Sequence, residues 1–288
     1  MTYGVSSMTA PLKRVALRAP GPSLLNADLH KWHYSDLYDA EKIEECYPQF
    51  AQILQTAGCD VIYMDGDDQG IADAVFTYDA SLMTPHGAIL MSPGKRLRQG
   101  EQELHRAFYN SHQIPILAEV TNARAEAGDT LWLDDETLLI GKGFRTNQAG
   151  ADQIAAALAP YGITCPTFDL PVYTGADACL HLMSLISMLD TKTALVCMEL
   201  LPVAMFELLA DKGITLIPAP FDEFQSTGTL STNVLCTSPK NVIMLNGIPK
   251  TQNLIEAAGI SVTTFSADAL CIACEGGPTC LTRPILRG

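Results

Sequence analysis

The chain has 288 residues, of which 48% are apolar and 17% charged, and its formal net charge is −14. This apolar share marks a globular chain with a sizeable core and excludes a disordered one. The charge argues against nucleic acid and anionic membrane surfaces, which need Lys/Arg patches, and an acidic field attracts small cations. The opening "MTYGVSSMTAPLKRVALRAP" lacks the charged segment and apolar run of a secretory signal, and runs such as "ACLHLMSLISML" are too short to span a bilayer. Nine cysteines without such a signal suggest reduced thiols in a cytoplasm.

In chain order, "RVALRAP" at residues 14–20 reads as a first strand. Five segments then share one pattern of helix, small turn and β-branched strand. They are "FAQILQTAGCDVIYMD", "LHRAFYNSHQIPILAEV", "IAAALAPYGITCPTFDL", "MFELLADKGITLIPAP" and "LIEAAGISVTTFS". Helical periodicity stops at Gly58, His112-Gln113, Gly162, Gly213 and Gly259, where a helix C-cap is expected. Hairpin turn chemistry stands at Pro85-His86-Gly87, Asp134-Asp135 and Ser238-Pro239-Lys240-Asn241. The period of roughly fifty residues signals radial repetition. The last unit has only "CLTRPILRG", so its missing strand is 14–20 and the two chain ends close the ring. The expected fold is α/β: five ββαβ-like modules about a pseudo-fivefold axis, helices outside, residues 1–288 forming a single catalytic domain. An ordinary α/β sandwich is the alternative, and five repeats in one order argue against it.

Modules of this kind direct equivalent residues at one axis. About twenty residues past the turn markers stand Asp79, His181, Asn233 and Cys280, and the tighter second module offers Glu126 and Asp129 sooner. Carboxylates, an imidazole and a thiol converge, where a core would use Leu and Val. His181 lies in the apolar stretch "ACLHLMSL" and reads as strand; the other five histidines fall in loops or on polar helix faces. Asp79 in "VFTYDASLM" needs a cation when buried, and none is near in sequence. Cys271, Cys274 and Cys280 in "CIACEGGPTC" form one CxxC without a second pair, so structural zinc is disfavoured. Gly276-Gly277-Pro278 also prevents the helix that a redox CxxC would open.

Together "DAVFTYDASLMT", "AEAGDTLWLDDETLLIGKGFRTNQAG", "CLHLMS" and "EGGPTCLTRP" resemble the guanidino-group-modifying enzymes, most of all the dimethylarginine dimethylaminohydrolases, with arginine deiminases and amidinotransferases more distant. The resemblance implies a five-bladed α/β propeller, the pentein fold. It implies Cys280 as nucleophile, His181 as general acid and base, and Glu126 and Asp79 as the acids on the guanidinium. Asp73, Arg98, Arg145 and Asp129 follow as substrate-positioning residues, the two arginines facing a substrate carboxylate. Met183 stands where the deiminases and amidinotransferases have an Asp, and Tyr78 where the dimethylaminohydrolases have an acid.

The chemistry implied is hydrolysis of a guanidine C–N bond through a covalent thiouronium, giving a urea such as citrulline plus an amine or ammonia. It needs no metal or organic cofactor. The expected partner is a small cationic guanidino compound, with no nucleic acid and no membrane; a homodimer is compatible with the sequence. Residues 21–35, with "NADLHKWHYS", are expected to form a lid. An amidinotransferase and a non-catalytic cation-binding protein are the competing readings.

Overall fold

The computed structural model describes residues 2–176, 178 and 180–288. The first long helix, Ala40–Thr56, shows how each module is built. Asp39 caps it, its carboxylate accepting from Lys42 N at 3.2 Å. Buried Ile43, Tyr47, Phe50, Ala51 and Leu54 recur at three- and four-residue spacing, so one face packs inward. The chain then reverses at Gly58, whose φ of 87° is open to glycine. Gln113, Gly162, Gly213 and Gly259 hold the same left-handed conformation in the other modules.

Each module carries one three-stranded sheet. β1 (Leu12–Leu17) and β2 (Asp60–Tyr63) flank the first helix. β3 (Ser81–Thr84), β4 (Gly87–Leu90) and β5 (Ile116–Glu119) make the second blade, and β6 (Thr130–Asp134), β7 (Thr137–Lys142) and β8 (Thr167–Asp169) the third. β9 (Ile186–Asp190), β10 (Thr193–Val196) and β11 (Thr215–Pro218) form the fourth; β12 (Leu235–Ser238), β13 (Asn241–Leu245) and β14 (Ser261–Phe265) form the fifth. β15 (Arg283–Arg287) returns to the first blade and pairs antiparallel with β1. In every blade an antiparallel pair is followed, across a helix, by a parallel third strand.

The fold is therefore the expected set of five ββαβ modules. One detail differs: the first strand runs from Leu12 to Leu17, not 14–20. The five sheets are separate, as modules about an axis require. The chain ends meet inside one blade.

Central strands are apolar on both faces because helices cover one side and the axis the other: β3 and β4 are buried throughout. Three large apolar clusters fill the space between sheets and helices. Among the described residues no helix is long and apolar enough to cross a membrane.

Candidate active site

Cys280 follows the turn Glu275-Gly276-Gly277-Pro278-Thr279 and is half-buried. Asn233 Nδ2 donates to its Sγ at 3.1 Å, while Thr279 N donates to Asn233 Oδ1 at 3.0 Å. One amide thus fixes both the turn and the thiol. The glycines are demanded by close approach: a Cβ at Gly277 would lie 2.6 Å from Asn233, and one at Gly276 would enter the Phe76 ring.

Glu126 is fully buried and is the hub of the other side. Its Oε1 accepts from Gly94 N at 2.8 Å and Lys95 N at 3.1 Å. Its Oε2 accepts from Arg145 Nη1 at 3.1 Å and sits 2.6 Å from His181 Nε2. Burial pushes the Glu126 carboxyl up, but the His181 hydrogen bond and the charges of Arg145, His181 and Arg98 outweigh it and hold it well below the usual carboxylate range. An ionised Glu126 accepts, so Nε2 of His181 carries the proton toward it. The other ring nitrogen, Nδ1, lies beside Gly128, where a Cβ would come within 2.7 Å of it and 2.6 Å of Asp79 Oδ1. His181 is the N-cap of the short helix Leu182–Leu185, not a strand residue, because the apolar run around it serves two elements.

Asp79 has the cation that its local sequence withholds. Arg98 Nη1 is 2.5 Å from Oδ2, and Gly128 N donates to Oδ1 at 2.9 Å. Arg98 also donates to Glu101 at 2.7 Å and to Phe76 O at 3.0 Å. Three of its five N–H donors are thus engaged inside the protein, and it still borders the outer cavity at the thiol. Burial opposes its charge, yet Glu101, Asp79 and Glu126 raise its pKa well above the ordinary value. One guanidinium does not neutralise two carboxylates: burial pushes Glu101 up to about 8, and Arg98 only partly offsets this.

Asp73 accepts from Tyr34 Oη at 2.7 Å and Lys95 Nζ at 2.6 Å. Lys95 Nζ also reaches Trp32 O at 3.4 Å, so residues 32–34 of the expected lid are seated over the site. Asp129 lies behind it, fully buried, accepting from Leu182 N at 3.0 Å. Its Oδ2 has no hydrogen-bond partner of good geometry; burial lifts the carboxyl to about 6, against the His181 charge and the nearby Thr146 hydroxyl, which favour the ionised form. His105, expected on a polar helix face, is instead buried against Ser81 Oγ at 2.8 Å, and burial lowers its pKa to about 3.

Two narrow cavities meet at the thiol. The outer one, about 30 Å³, borders Asp73, Lys95, Arg98 and Arg145; the inner one, about 20 Å³, borders Gly128, His181 and Asn233. Asp79, Glu275 and Cys280 border both. Oxygen and nitrogen atoms of Asp79, Glu126 and His181 lie within 4.8 Å of one another, a spacing a metal ion accepts. Arg98 and Arg145 are already paired with Asp79 and Glu126, which leaves little negative charge for a divalent ion. Cys271 lies in the π-helical turn Asp268–Ile272, buried, with its thiol pKa raised by burial, and Cys274 is raised likewise.

A family model described as arginine deiminase matches residues 70–208. The N(G),N(G)-dimethylarginine dimethylaminohydrolase of Pseudomonas aeruginosa is 27% identical over 274 residues, covering 94% of this chain and 98% of that protein. A structure of the Pseudomonas aeruginosa enzyme, a mutant complexed with citrulline, superposes with a TM-score of 0.78 at 23% identity, covering 96% of this chain and all of that one. SxtG, an amidinotransferase from Microseira wollei, gives a TM-score of 0.78 at 15% identity over 100% of this chain and 98% of that one. The chain resembles the guanidino-group-modifying enzymes and has the pentein fold. Against that family pattern, Tyr78 is buried under Arg283, whose guanidinium carbon sits 4.3 Å from the ring centroid, and Met183 is buried apolar surface.

Of the eight catalytic and substrate-positioning residues expected from the sequence, Asp73, Asp79, Arg98, Arg145, His181 and Cys280 border the two cavities, while Glu126 and Asp129 lie behind them; seven are buried and Cys280 is half-buried. Sequence reasoning missed the contacts of Asn233, although its repeat position was noted, and it missed Lys95 and Gly128. Lys95 opens the basic run "KRLR", which hides which cation turns inward.

Proposed function

We propose that the protein hydrolyses a C–N bond of the guanidinium group of arginine or an Nω-methylated arginine, through a covalent adduct on Cys280. The observation that carries this is the placement of a half-buried thiol and a carboxylate-held imidazole on adjoining cavities that share Asp79. A planar cation there can donate its N–H groups to Asp79, and its presence favours the thiolate. The thiolate adds to the guanidinium carbon, and His181 delivers a proton to the departing nitrogen, which leaves as ammonia or an amine. The thiouronium remains. His181 then removes a proton from water, the oxygen adds to carbon, the C–S bond breaks and a urea departs. Glu126 keeps the imidazole oriented and stabilises its charged form in both steps. Arg145 and Lys95 stand on the outer side, where a substrate carboxylate would lie, and residues 21–35 would open to admit it.

Cys280→Ser tests the reading. It should fold, bind arginine and form no citrulline, and intact-mass analysis of the quenched parent protein should find an adduct that the variant lacks. Normal turnover by the variant would remove the covalent step. The second reading, amidino transfer, is favoured by the likeness to SxtG; a new guanidine formed from an added amine would select it.

A further inference from the structure

We propose that Glu275 is a substrate-positioning residue that supplies the second carboxylate for the guanidinium. The inference rests on the guanidine reading above. It begins with acceptor capacity. A carboxylate offers about four lone-pair sites, and a guanidinium presents five N–H donors. Glu126 already receives Gly94 N, Lys95 N, Arg145 and His181, and it borders neither cavity. With those acceptor sites filled, Glu126 is placed to hold the imidazole and has little capacity left for the cation. Asp79 receives Arg98 and Gly128 N, which leaves it about two sites, too few for the cation. Tyr78 and Met183, which border the inner cavity, carry no charge there.

Glu275 meets the need. Among the described residues only Asp79, Glu275 and Cys280 border both cavities, and Glu275 is exposed, so its side chain is free to turn toward a group seated at the thiol. Among the described residues its carboxylate has no hydrogen bond and no ion pair, whereas Asp73, Asp79 and Glu126 each hold a cation. Its backbone has φ 59°, an uncommon left-handed conformation for a non-glycine residue. That conformation directs the chain into Gly276, whose own close contact with Phe76 fixes the turn. Asp79 then holds one edge of the planar cation and Glu275 another, with the carbon presented to Cys280.

The test is binding to the full chain carrying Cys280→Ser, so that nothing is consumed. Calorimetric titration of arginine, ethylguanidine and citrulline compares a cationic amino acid, a cation without an amino-acid end, and a neutral urea. Adding Glu275→Gln should weaken arginine and ethylguanidine at least tenfold and change citrulline less than twofold; Glu275→Asp should recover part of the loss. Equal losses on arginine and citrulline would make Glu275 a support of the turn and overturn the proposal. A loss on arginine alone would assign Glu275 to the α-ammonium and overturn it too, as would unchanged arginine binding or no guanidine binding to the parent. Citrulline formation by the unsubstituted protein decides the hydrolase reading separately.

Discussion

Arg98 and Arg145 were paired by the sequence as two grips on one carboxylate, and their surroundings separate them. Arg98 is the buried counter-ion of Asp79 and Glu101, so Arg98→Met leaves two carboxylates without it and should destabilise the fold by about 3–5 kcal/mol, read from urea midpoints. Arg145 touches Glu126 through Nη1 and borders the outer cavity. Arg145→Lys keeps the charge and loses the planar fork. It should lower kcat/KM for arginine by about 1–3 kcal/mol and matter much less for an alkylguanidine. Equal losses on both would reduce Arg145 to a holder of Glu126. Asp129 gives a pH prediction. Its carboxyl rises from an ordinary 3.8 to about 6, so between those values the folded chain keeps a proton that the unfolded chain has released. Stability from this group is present at the acid end, falls as pH rises toward 6, and is then flat, a loss of about 3 kcal/mol. Asp129→Asn removes the titration and keeps an acceptor for Leu182 N. Its urea midpoint should gain more at pH 7.5 than at pH 4; an equal shift at both would mean that Asp129 ionises normally.

Turns and short helices carry the site, and here legibility divides sharply. The reversals at Gly58, Gly162, Gly213 and Gly259 were readable because a left-handed helix end leaves a local chemical signature. The ends of β1 and the N-cap role of His181 were not, because an apolar run does not say where a strand stops and a helix begins. Partners were least readable. Arg98 reaches Asp79 across 19 residues and Glu126 reaches His181 across 55, and no local rule selects such pairs. The role of Gly128 is visible only in space, since its missing side chain makes room for both Asp79 and His181. Gly128→Ala should therefore leave the far-UV spectrum unchanged and cost activity heavily, about a hundredfold, as expected for displacement of reacting groups by an ångström. Activity within threefold of the parent would show that the two side chains relax without loss.

At the scale of the molecule, the fold is held at the place where the chain ends meet. β15 pairs with β1 and its buried arginines reach beyond that blade. Arg283 Nη1 donates to Tyr78 O at 2.8 Å and also to Ser81 O, toward the second blade. Arg287 donates to Ala10 O at 2.7 Å and to Cys236 O at 2.8 Å, toward the fifth. The last strand thus stitches the first blade to both neighbours and anchors Cys280, which lies three residues before it. Arg287→Met leaves one buried and one half-buried carbonyl without their donor while avoiding the cost of burying the charge, which already lowers the Arg287 pKa. The net loss should be about 2–3 kcal/mol, the range for hydrogen bonds to a charged group. Because the strand joins blades, that loss should appear in one cooperative urea transition, with far-UV circular dichroism and Trp fluorescence moving together. Thiol labelling at Cys280 under native conditions should also speed up, since opening of β15 releases the segment before it. An early separate transition, or a labelling rate equal to the parent's, would mean that the first blade opens independently of the ring and that the thiol is held by Asn233 and its turn alone.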